Sequence, residues 1–183
     1  DRERFPEFVR ELHRIFGKLR EHRLPSVALV NGVTAAGGLE LLLNCDLAYV
    51  AESARIGDAH LNFGQMGGGG VLTLLPRTIG RARAAELIFT GAFLTADEVV
   101  RVGLASRTVP DDQLLAAGLE FSAAVAAKSP LAVANAKEIM HRTWSSCMPV
   151  DSGLALERER NAYYCLTSDD AREGLAAFAE KRP

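Results

Sequence analysis

The first part of the chain alternates apolar and charged residues with a helical period. Between residues 5 and 21 the apolar side chains stand three or four positions apart, with charges between them. This pattern predicts an amphipathic helix that packs one face on a core. Pro25 then leads into a short apolar run, Val27 to Val30, which Asn31 and Gly32 end. We expect a buried strand there.

The pattern changes after Gly32. Small residues occupy positions 34–38, and helix-forming residues, all leucine except Glu40, occupy 39–43. The run from 46 to 51 is typical of a second strand. The order strand, turn, helix, strand favours a parallel, right-handed crossover. A brief extended piece is expected at 54–57.

Helical periodicity dominates the rest of the chain. A short helix after Val71 is expected to end at Pro76, and a short strand is expected at 106–109. Thr95 is suited to cap a helix that Gly103 ends, and Ser168 is suited to cap the last helix. The further helices are predicted at 81–89, 95–102, 112–128, 130–144, 151–165 and 168–180.

Composition narrows the class of protein. The 183 residues are 48% hydrophobic and 24% charged, which is ordinary for a globular domain, and the net charge of −2 gives no electrostatic reason for binding nucleic acid or an anionic membrane. Cys45, Cys147 and Cys165 lack metal-ligand spacing, which favours a reduced, cytoplasmic compartment. The strand at 27–30 needs sheet neighbours that this sequence barely supplies, so we expect further sequence before Asp1.

The richest chemistry lies where the first strand meets the following helix. A glycine-containing turn at a helix start presents free backbone N–H groups and the positive end of the helix dipole. Glu40 stands three residues after Gly37, among leucines. A carboxylate there would repel a phosphate but is able to exchange protons beside a neutral carbonyl. The segment therefore predicts an oxyanion site with a general acid or base next to it.

Several segments in the right order carry a resemblance to one family. They are Pro25-Ser-Val-Ala-Leu-Val-Asn-Gly32, Ala36-Gly-Gly-Leu-Glu-Leu41, Cys45-Asp46, Leu87-Ile-Phe-Thr-Gly91, Ala96-Asp-Glu-Val99, Gly103-Leu-Ala105 and the ending from Asp169 to Arg182. Through nearly its whole length the chain resembles the crotonase family, also called the enoyl-CoA hydratase/isomerase family.

The resemblance implies an α/β fold. Residues 1–110 would form the C-terminal part of a spiral core of ββα turns, with its N-terminal part missing, and residues 111–183 a helical trimerisation region. The family assembles as a homotrimer or a dimer of trimers and acts on acyl-CoA thioesters. No metal is implied, and no cofactor other than the CoA that is part of the substrate.

The resemblance also implies roles for individual residues. Gly37 would supply one of two N–H groups that hold the thioester oxygen, with Ala36 and Gly38 beside it in the substrate site. The second N–H group would come from a residue just before Asp1. Glu40 matches one of the two glutamates with which hydratases of the family activate and position water.

The chain departs from the family pattern at the second glutamate. Hydratases carry a Pro-Glu pair where this chain has Ala59-His60. Histidine exchanges protons near neutral pH, so His60 is a candidate for delivering a proton to the α-carbon, held by Asp58 or by Asn62.

Two further positions are candidates for binding substrate. Gly67-Gly68 replaces the usual Pro-Gly in a loop that the resemblance places at the acyl pocket. Lys181 stands where family members often reach the CoA phosphate of a neighbouring subunit.

The leading hypothesis is hydration of a 2-enoyl-CoA by Glu40 and His60. One alternative is an isomerase, or a hydrolase of β-dicarbonyl-CoA esters, in which His60 is the main base. Another is a catalytically weak acyl-CoA-binding or scaffold oligomer, favoured by the lost glutamate but opposed by the retained Gly37 and Glu40. RNA binding is known for rare members of the family, but this sequence has no stripe of basic residues that would favour it.

Overall fold

The computed structural model describes residues 3–182, which form two compact units. The first contains residues up to 22 and 26–121, and the second contains 23–25 and the residues from 122 onward. The sequence predicts a boundary between the spiral core and the helical trimerisation region at 110/111. That boundary stays a prediction. The compact units divide later, inside a helix.

Two small sheets form the centre of the first unit. Strands β1 (Val27–Val30), β3 (Leu47–Ala51) and β6 (Arg107–Val109) are parallel, with β3 in the middle. The second sheet places β4 (Arg55–Gly57) between the parallel β2 (Val33–Ala35) and the antiparallel β5 (Phe93–Thr95). The helices, numbered in chain order, are α1 (Phe5–Arg20), α2 (Gly37–Leu42), α3 (Val71–Ile79), α4 (Arg81–Thr90), α5 (Ala96–Arg101), α6 (Leu114–Ala126), α7 (Pro130–Ser145), α8 (Val150–Thr167) and α9 (Asp169–Ala179).

The parallel crossover predicted for the first half is confirmed. Val27 of β1 lies opposite Leu47 of β3, and the two strands stay in register to Val30 and Val50. The connecting helix α2 buries Leu39 completely in the same core as Val50. The leucine side of α2 is therefore fixed against the sheet, which in turn fixes the direction of the other α2 side chains.

The predicted helix caps also form. Thr95 caps α5 in a capping box, because its hydroxyl accepts from the Glu98 N–H while the Glu98 carboxylate accepts from the Thr95 N–H. These bonds hold the pKa of Glu98 below its ordinary value. Gly103 follows this helix with a φ of 78°, and Ser168 caps α9 as expected.

The prediction for Pro76 is wrong. Helix α3 continues through Pro76 to Ile79, and the chain leaves the helix at Gly80, where φ is 80°. Proline removes the N–H that the carbonyl of Leu72 would bind. Leu72 is 41% exposed, so its side of the helix faces solvent, where water can replace that bond.

The second unit is tied together by polar side chains between helices. Arg160 of α8 forms a two-pronged ion pair with Glu138 of α7, at 2.9 and 3.1 Å. Tyr164 donates to the Ser129 hydroxyl, which donates to Asp170 at the start of α9.

Among the described residues no single helix is long and apolar enough to cross a membrane, and one bent pair of helices meets that test only in combination.

Candidate active site

The turn between β2 and α2 is strained at Ala36. This residue has a φ of 48° and a ψ of −119°, a conformation that favours glycine. Its N–H donates to the carbonyl of Asp58 at 2.9 Å, which ties the turn to the end of β4. Gly37 follows as the first residue of α2, so its N–H has no partner within that helix. Strain of this kind in a non-glycine residue concentrates at functional sites.

Glu40 lies in the first turn of α2 and is only 2% exposed. Its Oε1 accepts a hydrogen bond from the Gly69 N–H at 2.6 Å and a weaker one from the Val71 N–H at 3.5 Å. A buried carboxylate is costly unless it is hydrogen-bonded. The glycine loop, which we define as residues 67–70, and the adjacent Val71 supply those bonds. Backbone N–H groups thus hold the acid in place.

His60 begins a short 3₁₀ helix, His60–Phe63. Its Nδ1 lies 2.7 Å from Oδ1 of Asp58, whose side chain is 1% exposed. A carboxylate accepts hydrogen bonds, so Nδ1 carries the hydrogen and Nε2 is the nitrogen left to exchange a proton. Of the two partners considered from sequence, Asp58 holds His60, whereas Asn62 donates to the carbonyl of Gly91 at 3.0 Å.

The glycine loop brings the two titratable side chains together. A Cβ added to Gly67 would lie 3.4 Å from Glu40 Oε1 and 3.4 Å from His60 Nδ1. Those two atoms are therefore no more than twice that distance apart. The same Cβ would lie 2.2 Å from a methyl of Val71, so a side chain at this position would displace its neighbours. Glycine at position 67 keeps the space between carboxylate and imidazole open.

The sequence and the fold of this chain are similar to those of known proteins. The family model for enoyl-CoA hydratase/isomerase matches residues 6–183. The chain belongs to the enoyl-CoA hydratase/isomerase family. It is 37% identical to a probable enoyl-CoA hydratase of Mycobacterium tuberculosis, over 96% of this chain and 67% of the relative.

A short-chain-enoyl-CoA hydratase of Clostridium acetobutylicum is 31% identical over 93% of this chain and 64% of its own length. The crystal structure of an enoyl-CoA hydratase from Bacillus anthracis superposes with a TM-score of 0.94 at 32% identity, covering all of this chain and 69% of that one. The chain thus spans about two thirds of the length of these family members, and the crotonase fold expected from its motifs is confirmed.

The backbone before His60 differs from the Pro-Glu pattern of family hydratases. Ala59 has a φ of 58°, whereas proline fixes φ near −65°. Ala59 therefore adopts a backbone conformation that a proline at this position could not adopt. Ala36 and Ala59 are the two described non-glycine residues of the first unit with positive φ, and each directly precedes a predicted site residue.

The other predicted substrate-binding residues lie in different places. Gly38 lies in α2, where an added Cβ would contact Thr34 at 3.2 Å. Gly68 lies in the glycine loop, next to Val9 of α1. Lys181 belongs to the second unit, just after α9, with a φ of 55°. The roles of these residues in this family member stay predictions, as do those of Ala36, Gly37, Glu40, His60 and Gly67.

Sequence reasoning missed the contacts that α1 makes with the glycine loop. His13 donates from Nε2 to the carbonyl of Gly68, and the ring of Phe16 would lie 3.1 Å from a Cβ on Gly69. Val9, His13 and Phe16 share one face of α1, because they are four and three positions apart. The apolar members of this face were visible in the sequence, but nothing indicated which loop the face would cover.

Replacing Gly69 by alanine is expected to lower kcat about 100-fold while the protein stays folded. The new Cβ would lie 2.3 Å from Glu40 Oε2 and 2.7 Å from its Cδ, so the carboxylate must move. Steady-state kinetics and thermal unfolding test this. Gly32→Ala is the matched control, since a Cβ there meets nothing within 4 Å. Wild-type turnover in Gly69→Ala would contradict the assigned position of Glu40.

Proposed function

We propose that this chain forms the catalytic part of an enzyme that adds water to a 2-enoyl-CoA thioester. The observation that carries the proposal is the buried Glu40 carboxylate, held at 2.6 Å by the Gly69 N–H beside the Asp58–His60 pair. Membership of the family and similarity to the short-chain-enoyl-CoA hydratase of Clostridium acetobutylicum support the substrate class. Because this chain spans only about two thirds of the length of its relatives, the activity of the whole protein is a proposal.

Binding of the thioester is assigned to the turn at Ala36. The N–H of Gly37, at the positive end of α2, donates to the carbonyl oxygen of the substrate. Negative charge grows on that oxygen when a nucleophile adds at the β-carbon, so the N–H bond strengthens in the transition state. A donor of this kind is worth about 3–4 kcal/mol in comparable sites. The hydrogen bond from the Ala36 N–H to the Asp58 carbonyl holds the strained turn, and with it this donor, in place before substrate arrives.

Proton transfer is assigned to Glu40 and His60. Glu40 takes a proton from water as the water oxygen bonds to the β-carbon, and protonated His60 gives a proton from Nε2 to the α-carbon. The product gains the elements of one water molecule. Glu40 then returns its proton to His60, which restores both groups. Because Nδ1 donates to Asp58, the returning proton must reach Nε2, and it is carried there by water.

The proposal is tested with the full-length protein and crotonyl-CoA. Hydration removes the conjugated double bond, so the ultraviolet absorbance of the enoyl thioester falls, and the 3-hydroxyacyl product is identified by mass. We expect loss of absorbance with saturation kinetics. A protein that binds acyl-CoA but leaves the absorbance unchanged would contradict hydration and favour the binding or scaffold alternative.

A second candidate function is supported by the Asp58–His60 pair. A buried carboxylate that accepts from Nδ1 makes imidazole a competent base at Nε2, as isomerisation or cleavage of a β-dicarbonyl ester requires. In that case His60 removes a proton or activates water, and Glu40 assists. Incubation with 3-enoyl-CoA and 3-oxoacyl-CoA, followed by product analysis, separates these reactions from hydration.

The assembly is proposed to be a homotrimer or a dimer of trimers. Support comes from family membership and from large apolar side chains that the second unit leaves exposed, such as Leu166 at 83% and Phe178 at 84%. Exposed large apolar side chains in such number favour an interface with another subunit. Lys181 is proposed to reach the CoA of a neighbouring subunit in such an assembly.

A further inference from the structure

One peptide group of the glycine loop is held from both sides by titratable side chains. The carbonyl of Gly68 accepts a hydrogen bond from His13 Nε2 at 2.5 Å. The N–H of Gly69, which belongs to the same peptide group, donates to Glu40 Oε1 at 2.6 Å. In a trans peptide these two groups point in opposite directions within the peptide plane, so His13 and Glu40 lie at opposite edges of the peptide group.

The chemistry of the partners fixes the direction of both bonds. A carbonyl oxygen only accepts, so His13 must donate from Nε2, whatever the charge on the ring. The adjacent Arg14 is engaged with Glu11 on the same helix at 2.7 Å. Of these side chains, His13 is therefore the one that binds the loop.

The peptide needs such support because of its sequence. Glycine has the widest choice of backbone conformations, and this peptide lies between two glycines in a run of four. Rotation of the 68–69 peptide would turn the Gly69 N–H away from Glu40. The two bonds also reinforce each other, since a hydrogen bond at the carbonyl polarises the N–H of the same peptide.

We propose that His13 is a positioning residue for Glu40, acting through the Gly68–Gly69 peptide. The inference rests on the proposed function, because it gives His13 a role only if Glu40 activates water. His13 contacts the loop rather than the carboxylate, and its place is on the α1 face that also carries Val9 and Phe16. It orients the Gly69 N–H, and that N–H orients the carboxylate.

The test compares His13→Leu, which removes the donor, with His13→Gln, which keeps an N–H donor. His13 is exposed, so both variants are expected to fold, which thermal unfolding checks. Loss of one hydrogen bond that acts in the transition state is expected to lower kcat roughly threefold to tenfold in His13→Leu, with KM unchanged. His13→Gln recovers much of that loss. Lys18→Leu, an exposed change on the same helix, leaves both constants unchanged.

A double-mutant cycle distinguishes positioning from a general structural effect. If His13 acts through Glu40, His13→Leu causes no further loss of kcat in a Glu40→Gln background. Unchanged kcat in His13→Leu, or the same loss in both backgrounds, overturns the inference while leaving the proposed function intact. Unchanged kcat in Glu40→Gln alone overturns the proposed function and this inference with it.

Discussion

Glu40→Gln is expected to lower kcat for hydration by roughly two to four orders of magnitude, with little change in substrate binding. Glutamine has the same shape, and its amide oxygen can still accept from the Gly69 N–H, so the glycine loop stays in place. It cannot take a proton from water. The loss therefore falls on the chemical step. Stopped-flow or steady-state assays with crotonyl-CoA give kcat, and titration calorimetry with a saturated acyl-CoA gives binding.

The matched control for this change is Glu52→Gln. Glu52 is an exposed glutamate in the turn between β3 and β4, and its replacement is expected to leave kcat as it is. Equal unfolding temperatures for the two variants would show that the fold is unaffected. A Glu40→Gln enzyme that turns over at the wild-type rate would remove Glu40 from the mechanism.

The elements that could be predicted from sequence are those with local signals. Strand β1 was predicted with its observed bounds because Pro25 and Asn31-Gly32 limit a short apolar run. Helix α5 was predicted because Thr95 is suited to cap its start and Gly103 to end it, and the structure adds the bond from Thr95 to Glu98. In both cases the residues that determine the structure are neighbours in the chain.

The elements that were missed depend on distant partners. Strands β2 and β5 have three residues each and exist only because β4 lies between them, at Ile56 opposite Thr34 and Leu94. No periodicity can appear in three residues. The continuation of α3 through Pro76 also depends on three-dimensional surroundings. Leu72 is exposed, so water can bind the carbonyl that the proline leaves without an N–H partner.

The features of the candidate site also differ in whether they depend on neighbouring or on distant residues. Gly37 and Glu40 are three residues apart, so the turn and the carboxylate were visible together. The partner of His60 was narrowed to two neighbours, but only the three-dimensional structure distinguishes Asp58 from Asn62, because Asn62 is engaged with Gly91 of a different element. The contact of His13 with Gly68 joins residues 55 positions apart and has no local signal.

His60→Gln is expected to lower kcat for hydration by at least about 100-fold, because glutamine cannot deliver a proton to the α-carbon. Asp58→Asn is expected to lower kcat in the same direction with KM unchanged, since an amide no longer requires the hydrogen to be on Nδ1. Steady-state kinetics with crotonyl-CoA measure both effects. His22→Gln, an exposed change on the surface, serves as the control.

The His60→Gln and Glu40→Gln variants also decide between the reactions. If His60 is the acid of a hydratase, His60→Gln and Glu40→Gln both lose hydration, since each variant lacks one of the two proton transfers. If His60 is instead the main base of an isomerase or of a hydrolase, His60→Gln loses reaction with 3-enoyl-CoA or 3-oxoacyl-CoA, whereas wild-type hydration of crotonyl-CoA is already weak. Wild-type hydration in His60→Gln would mean that Glu40 works alone and that the Asp58–His60 pair serves the structure of the turn.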